Sequence, residues 1–179
     1  TLRGTPTFYY GDEIGLAYVP ISKTQIRDTW AKREAGPLVG RDPSRTPMQW
    51  DDSAYAGFST HAPWLPLTND FRESNVAAMA ADRNSVLNLV KNLLRLRREH
   101  PALSAGRLHL LGAEEDVLSY ERATENESLV VVLNLSDAPR QWRVRKAPMR
   151  VLISTLGGRE GVLLGPVIDL RPNEGLVLG

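Results

Sequence analysis

Two arginines, Arg41 and Arg45, lie four residues apart in a segment that is rich in proline and charged residues. A guanidinium group is planar and always charged, so it can bond two adjacent hydroxyl groups or pair with a carboxylate. The same spacing also fits a loop-stabilising salt bridge to Asp42 or Asp51. The pattern by itself leaves both roles open.

Three groups of neighbouring carboxylates are candidates for acid–base chemistry or for a metal site. They are Asp12 with Glu13, Asp51 with Asp52, and Glu114 with Glu115 and Asp116. Adjacent side chains at a strand end diverge, so Asp12 and Glu13 are not expected to act on one atom. Calcium needs about six to eight oxygen ligands from a loop of set spacing, which the other two groups lack. We therefore expect solvated turns and no metal ion.

The histidines and the absence of cysteine limit the chemistry further. His61, His100 and His109 do not have the spacing of zinc ligands. The 179 residues include no cysteine, which excludes disulfides and thiolate chemistry and is typical of a reducing compartment. We expect a cytoplasmic protein without a cofactor, although the chain does not start with methionine and a leader sequence could precede Thr1.

Charge and hydropathy exclude two classes of partner. Lysine and arginine total 22 against 21 acidic residues, a net charge of +1, which offers no field for nucleic acid or anionic lipid. The longest apolar run, residues 129–133, is too short to span a bilayer. We expect no nucleic-acid partner and no membrane role.

The elements that would position these side chains begin with a parallel α/β pattern. Thr1–Gly4 has the pattern of a last helical turn, and Pro6–Tyr10 is a β-branched and aromatic run of the kind expected for a buried strand. Residues 15–80 have little periodicity and are longer than an ordinary loop, which usually indicates function. Short helices are expected within this stretch, over Asp28–Arg33 and Thr68–Ala81.

Apolar residues recur at helical spacing over residues 85–100, which predicts the most regular helix of the chain. Asp82 or Ser85 is a suitable N-cap, and Pro101 stops the helix. The arginines in its last turns suit the negative end of the helix dipole, which is a simpler interpretation than an anion site.

After Leu103 the sequence breaks into seven short apolar runs separated by turn residues, a pattern typical of antiparallel β-structure. The predicted strands cover residues 107–111, 117–122, 129–134, 141–144, 151–154, 167–170 and 176–178. They predict a β-sandwich or barrel over 105–179, preceded by a different domain over 1–104.

Four segments resemble glycoside hydrolase family 13, the α-amylase superfamily, and in particular its bacterial α-glucosidase and oligo-1,6-glucosidase branch. The segments are Gly4–Gly15, Gly40–Asp51, Ala56–Pro66 and the helix end Leu96–Leu103. Their order and spacing agree with the family, so the resemblance covers essentially the whole chain.

The resemblance implies an α/β plus all-β fold, the tail of a (β/α)8 TIM barrel followed by an antiparallel C-terminal β-domain. Residues 6–10 would be the eighth barrel strand, 11–81 its long loop and 85–100 the eighth helix. Sites in this fold are built from loops at the carboxyl ends of strands. The family's three catalytic carboxylates would precede Thr1. Retaining hydrolysis needs two of them across the scissile bond, so we expect no catalytic residue here and no activity of this chain alone.

For the site, the resemblance implies that Arg41 and Arg45 bind substrate in the innermost sugar pocket. The parent enzyme is expected to hydrolyse short α-linked gluco-oligosaccharides. A trehalose synthase-type glucosyltransferase, a non-catalytic subunit and a carbohydrate-binding module are the alternatives. Besides the oligosaccharide, the expected partner is the N-terminal remainder of the barrel, or another chain that covers residues 5–15.

Four tryptophans complete the set of candidate residues. Trp30, Trp50 and Trp64 could stack on sugar rings or anchor the long loop. Anchoring is favoured for Trp50, and Trp64 is left open. Trp142 alternates with polar neighbours and fits the core of the β-domain or its interface with the helix.

Overall fold

Three α-helices occupy the centre of the chain in a computed structural model, which describes residues 1–33, 40–144 and 148–179. Helix α1 covers Val76–Ala81, α2 covers Val86–Glu99 and α3 covers Pro101–Ser104. The hydroxyl of Ser85 accepts a hydrogen bond from the Asn88 N–H at 3.2 Å, so Ser85 is the N-cap of α2. The predicted helix over residues 85–100 and its stop before Pro101 are confirmed.

The two shorter helices predicted upstream have different outcomes. Helix α1 starts at Val76 rather than at Thr68. The Asn75 side chain caps this start, because it accepts a hydrogen bond from the Ala78 N–H at 2.9 Å. Residues 28–33 form turns and no helix, so that prediction was wrong. The Asp28 carboxylate accepts a hydrogen bond from the Trp30 N–H at 3.0 Å, and such local bonds compete with helical pairing.

Antiparallel strands follow the helices, as the sequence predicts. The strands are β1 (Arg107–Glu114), β2 (Val117–Ala123), β3 (Ser128–Asn134), β4 (Arg140–Arg143), β5 (Met149–Ser154), β6 (Leu163–Leu164), β7 (Val167–Leu170) and β8 (Gly175–Leu178). Six of them form a sheet in the order β1-β2-β3-β8-β5-β6, and β4 pairs with β7 in a second sheet. All seven predicted strands are present, and the two-residue strand β6 is additional.

The six-stranded sheet has an apolar core on each face, because successive side chains of a strand point to opposite sides. On one face, residues of α2 and α3 pack with sheet residues such as Tyr120 and Val131. On the other face, Ile168 of β7 and Trp142 of β4 pack with sheet residues such as Val132. The expectation that Trp142 belongs to a β-domain core is confirmed.

Contacts within the chain separate it into two compact units. One comprises Thr1–Pro6 with Leu89–Gly179, and the other comprises Thr7–Asn88. The predicted division into 1–104 and 105–179 refers to the domains of a longer enzyme, and it stays a prediction. None of the helices that the structure describes is long and apolar enough to cross a membrane.

The unit Thr7–Asn88 is mostly irregular, with short 3-10 helices over Asp12–Ile14, Asp42–Arg45 and Ala54–Gly57. Its apolar cluster is small and centres on Ile14, Met48 and Leu87. Hydrogen bonds between polar groups therefore hold much of this unit together. The buried Gln49 side chain, for example, accepts hydrogen bonds from the N–H and hydroxyl of Thr68 at 3.1 and 2.8 Å.

The strand predicted over Pro6–Tyr10 is not formed in this chain, and the expectation of a buried run is wrong here. The side chains of Phe8, Tyr9 and Tyr10 are 49%, 55% and 41% exposed. A strand exists only where neighbouring strands bond its N–H and C=O groups, and the described residues supply none. The β-branched and aromatic composition is thus present without its partners.

Candidate functional site

Arg41 is held by a carboxylate that lies thirteen residues before it. Its Nε donates to Oδ2 of Asp28 at 3.1 Å, and its backbone N–H donates to the same oxygen at 2.8 Å. The Asp28 side chain is completely buried, whereas the Arg41 side chain is 68% exposed. The side-chain bond from Arg41, followed by the backbone bonds of Arg41 and Trp30, holds the pKa of Asp28 well below its usual range. Asp28 is therefore an ionised anchor.

Arg45 is held by the first residue of its own 3-10 helix. Its Nη1 lies 3.3 Å from Oδ1 of Asp42, whose side chain is buried while that of Arg45 is 45% exposed. Oδ2 of Asp42 accepts hydrogen bonds from the backbone N–H groups of Arg27 and Asp28 at 2.7 and 2.8 Å. Both oxygens of this buried carboxylate are thus satisfied, as burial of a charge requires.

Together these contacts join the segments 27–30 and 40–45 of the loop. The buried carboxylates of Asp28 and Asp42 accept hydrogen bonds from the backbone of these segments. Each carboxylate also forms a salt bridge with one arginine whose side chain is partly exposed to solvent. Of the two salt bridges that the sequence spacing allows, to Asp42 or to Asp51, the one from Arg45 to Asp42 is present. The partner of Arg41 is Asp28, a residue that the sequence analysis did not single out as a ligand of either arginine. The predicted role of Arg41 and Arg45 in substrate binding stays a prediction.

Three further carboxylates of this unit accept hydrogen bonds from backbone N–H groups. Asp12 Oδ2 accepts the Tyr9 N–H at 2.9 Å, and Glu13 Oε2 accepts the Gly11 N–H at 2.8 Å. Asp51 Oδ1 accepts the Ser53 N–H at 2.9 Å. These bonds fix turns and leave Asp12 and Glu13 without a common target, as their sequence spacing predicts.

The acidic run of the β-domain is a hairpin turn. Glu115 and Asp116 connect β1 to β2 with φ angles of 49° and 63°, the left-handed conformation that a tight two-residue hairpin requires. Asp116 pairs with Arg140 at 2.8 Å on the surface. The expected solvated turn is therefore confirmed. Within the described part of the chain, no three histidine, aspartate or glutamate side chains come together around a position for a metal ion.

Aromatic side chains line the neighbourhood of the Asp42–Arg45 turn. The Tyr10 hydroxyl lies 3.1 and 2.9 Å from the carbonyl oxygens of Ser44 and Thr46, and burial, followed by the neighbouring Tyr9, raises the Tyr10 pKa. Tyr9, Tyr10 and Pro43 are among the walls of a small recess of about 80 Å³. Composition alone could not predict the contact of Tyr10 with this turn, because its hydrogen-bond partners lie 34 and 36 residues away.

The loop tryptophans divide into exposed and engaged side chains. Trp30 and Trp50 are 58% and 51% exposed. The Trp50 indole therefore does not anchor the loop in this chain, although its backbone does, through a bond from its N–H to the Ala56 carbonyl at 2.9 Å. The Arg27 guanidinium lies 4.3 Å from the ring centre of Trp64, an ordinary cation–π distance.

Comparison with known proteins identifies the family of this chain. Residues 1–106 match the model of the α-amylase catalytic domain. The chain belongs to the α-amylase family. That family is glycoside hydrolase family 13, as the sequence resemblance implies.

Matching relatives and solved structures support the family assignment, and they are much longer than this chain. The chain is 34% identical over 163 residues to oligo-1,6-glucosidase of Parageobacillus thermoglucosidasius, a match that covers 80% of the chain and 29% of that protein. It is 34% identical over 171 residues to glucan 1,6-alpha-glucosidase of Streptococcus dysgalactiae subsp. equisimilis, with 86% and 32% covered. The crystal structure of trehalulose synthase from Pseudomonas mesoacidophila MX-45 matches with a TM-score of 0.84 and 30% identity, covering 98% of the chain and 35% of that structure. The chain thus spans about a third of the length of these proteins.

Proposed function

We propose that this chain is the C-terminal part of an α-glucosidase-like enzyme that hydrolyses short α-linked gluco-oligosaccharides. Its residues 6–10 and 85–100 would complete a (β/α)8 barrel as eighth strand and eighth helix, and residues 105–179 would form a β-sandwich domain behind it. The family match over residues 1–106 and the names of the two glucosidase relatives support this assignment.

Within that enzyme, the loop would supply one edge of the sugar pocket. The observation that carries this proposal is the fixed and half-exposed guanidinium of Arg45, which the buried Asp42 holds at 3.3 Å. A guanidinium that is already oriented loses less side-chain entropy when it binds a sugar hydroxyl or an acid at the pocket. The exposed Arg41, oriented by Asp28 at 3.1 Å, would contribute in the same way.

The test uses the complete enzyme and a chromogenic α-glucoside. We expect Arg45→Ala to lower kcat/KM by the equivalent of about 2–4 kcal/mol, the range of lost charge-assisted hydrogen bonds, and Arg41→Ala to lower it as well. Asp42→Asn tests the orientation of Arg45 separately, because the amide oxygen can still accept the two backbone bonds that fix the loop while the ion pair with Arg45 is lost, so kcat/KM should fall in this variant too. Unchanged kinetic constants in both arginine variants would assign these residues to loop structure alone.

The chain without the rest of its enzyme is proposed to be inactive. Retaining hydrolysis requires two carboxyl groups about 5 Å apart across the scissile bond. The first two acids of the loop, Asp12 and Glu13, accept hydrogen bonds from the backbone of their own turn at 2.9 and 2.8 Å. Release of the chromophore by the purified 179-residue chain at a rate above its Asp12→Asn and Glu13→Gln double variant would contradict this proposal.

A glucosyltransferase is the second candidate, and the likeness to trehalulose synthase at a TM-score of 0.84 favours it. Hydrolysis and transfer share the covalent intermediate and differ in whether water or a second sugar attacks it. Incubation of the complete enzyme with isomaltose separates the two. A hydrolase releases glucose in a ratio of about two per isomaltose consumed, whereas a transferase accumulates new disaccharides or trisaccharides.

A further inference from the structure

The second sheet of the β-domain covers only part of the six-stranded sheet and leaves an open groove beside it. The groove has a volume of about 690 Å³, within the range of about 300–1,000 Å³ of ordinary ligand sites. Its walls come from strands β1, β2, β3 and β4, together with the turn between β1 and β2 and the start of β5. None of these residues belongs to the loop that carries Arg41 and Arg45.

The inner face of β2 changes from apolar to polar along the groove. Val117, Ser119 and Glu121 alternate on this face and all line the groove. Val117 belongs to the apolar core, Ser119 is almost completely buried and Glu121 is half-buried. A strand face that is packed dry against a second sheet is apolar along its length. The polar residues therefore indicate a face that is built for a wet or polar content.

Charge limits the class of content. Among the lining residues that the structure describes, the three carboxylates of Glu114, Glu115 and Glu121 stand against one basic residue, Arg143. An excess of carboxylates repels phosphates, nucleic acids and acidic peptides. The same carboxylates accept hydrogen bonds from neutral hydroxyl groups, as Glu121 Oε1 does from the Ser128 hydroxyl at 2.5 Å.

An indole completes the groove. Trp142 packs against the apolar cluster of the sheet and, half-buried, also lines the groove beside Gln141. A flat apolar surface next to carboxylate and amide groups matches a sugar ring, which has apolar C–H faces and hydroxyl groups at its rim. Aliphatic ligands would leave the polar walls without partners.

We propose that this groove binds a neutral oligosaccharide of α-linked glucose, with Trp142 against a ring face and Glu121 and Gln141 on its hydroxyl groups. The choice of glucose rests on the proposed function, whereas the preference for a neutral polyhydroxylated ligand rests on the groove alone. Such a groove would hold the enzyme on its substrate and raise the local sugar concentration.

Gly112 provides a way to fill the groove without disturbing the sheet. A Cβ at this position meets only the Ser119 hydroxyl, at 3.6 Å, and the backbone φ is one that other residues adopt. Valine suits a strand and would project into the groove. Gly165 is the matched control, because a Cβ there meets nothing within 4 Å and the residue does not line the groove.

The experiment is calorimetric titration of the 179-residue chain with isomaltotriose and with maltotriose. We expect millimolar binding to the wild type, a loss of about tenfold or more in Gly112→Val and a change below about twofold in Gly165→Val. Glu121→Gln, which changes charge and not volume, should weaken binding about threefold or more. Arg45→Ala, at the other proposed sugar site, reports any binding of the sugar to the loop.

Three results would overturn the proposal. One is the absence of any binding at about 10 mM sugar, tenfold above a 1 mM dissociation constant. Another is binding that Gly112→Val and Glu121→Gln leave unchanged. The third is binding that Arg45→Ala abolishes, which would place the sugar on the loop. Because kinetics of the complete enzyme test the proposed function, the failure of one proposal is distinguishable from the failure of the other.

Discussion

Arg45 and Asp42 lie 3.3 Å apart on one 3-10 turn, with the carboxylate buried and the guanidinium half exposed. The Asp42 carboxylate has two structural roles. Asp42 satisfies backbone N–H groups of the segment at Arg27 and Asp28, and its remaining oxygen orients the arginine. The order of the loop and the orientation of its cation are therefore coupled, since both depend on the same carboxylate.

Asp42→Ala is expected to unfold the loop locally. It leaves the N–H groups of Arg27 and Asp28 unpaired, at a cost of about 1–3 kcal/mol each. Amide hydrogen exchange measured by NMR should show that these two groups lose protection by about 10- to 1,000-fold. Asp42→Asn keeps an acceptor oxygen and should lose about tenfold or less. Protection that is equal in the alanine variant and the wild type would contradict this account.

The β-domain contains a buried carboxylate that should make its stability depend on pH. Glu174 has a completely buried side chain that pairs with Arg171 at 2.7 Å and with Arg159 at 2.9 Å. Burial raises the pKa of Glu174, but the hydrogen bonds from Arg171 and Ser154 and the charge of Arg159 outweigh it, so the pKa lies below its ordinary value. A lowered pKa means that the unfolded state binds the proton more tightly.

The stabilisation from Glu174 is therefore fully present above the ordinary glutamate pKa of 4.5 and is lost as the pH falls through the lower folded-state value. We expect Glu174→Ala to lower the free energy of unfolding of the β-domain by about 3–5 kcal/mol at neutral pH. The difference from the wild type should shrink as the pH is lowered from about 4.5. Urea titrations at several pH values measure it. The exposed Glu125→Ala is the control, and a difference that stays constant from pH 7 to pH 3 would show that Glu174 is not the titrating group.

Gly106 should be intolerant of any side chain. It joins α3 to β1, and a Cβ there would lie 2.3 Å from the Ala102 carbonyl oxygen and 2.9 Å from that of Ala123. Both atoms belong to the backbone, which cannot yield as a flexible side chain does. Gly106→Ala is expected to lower the free energy of unfolding by about 1–3 kcal/mol, and Gly165→Ala by less than about 0.5 kcal/mol. Thermal unfolding followed by circular dichroism compares the two variants, and equal transitions would contradict the predicted clash.

The secondary structure of the β-domain was predictable because its pattern is local. Alternation along β2 and β3 and the turn residues between strands define the antiparallel elements without knowledge of the rest of the chain. The helix after Ser85 has both a periodic face and a cap. Strand β6, with only Leu163 and Leu164, is too short to give an alternating pattern.

Other features depend on partners that are distant in sequence. The Arg41–Asp28 pair joins residues thirteen positions apart, and no sequence motif relates the two. The fully buried Arg122 donates hydrogen bonds to the carbonyls of Thr1 and Gly106, although its residue type and position at a strand end predict exposure. Pro6–Tyr10 has the composition of a buried strand, but composition alone does not supply the strands on either side.

The segment Pro6–Tyr10 should also control the association of the chain. Phe8 and Tyr9 are adjacent and are 49% and 55% exposed, so they present an apolar surface of the kind that recruits other chains. We expect the isolated 179-residue chain to self-associate, and sedimentation velocity should show species larger than a monomer that increase with concentration.

The double variant Phe8→Ser and Tyr9→Ser should shift the chain towards monomer. Tyr10 is left in place because its hydroxyl bonds the carbonyls of Ser44 and Thr46, and its loss would disturb the loop itself. Leu110→Ser, which removes another exposed apolar side chain, 64% exposed on the edge strand β1, tests whether any such change has the same effect. Association that persists in the double variant and disappears in Leu110→Ser would assign the contact to the β-domain edge. A wild-type chain that stays monomeric at all concentrations would show that the aromatic segment needs no cover, and with it the expectation of a partner over residues 5–15 would fail.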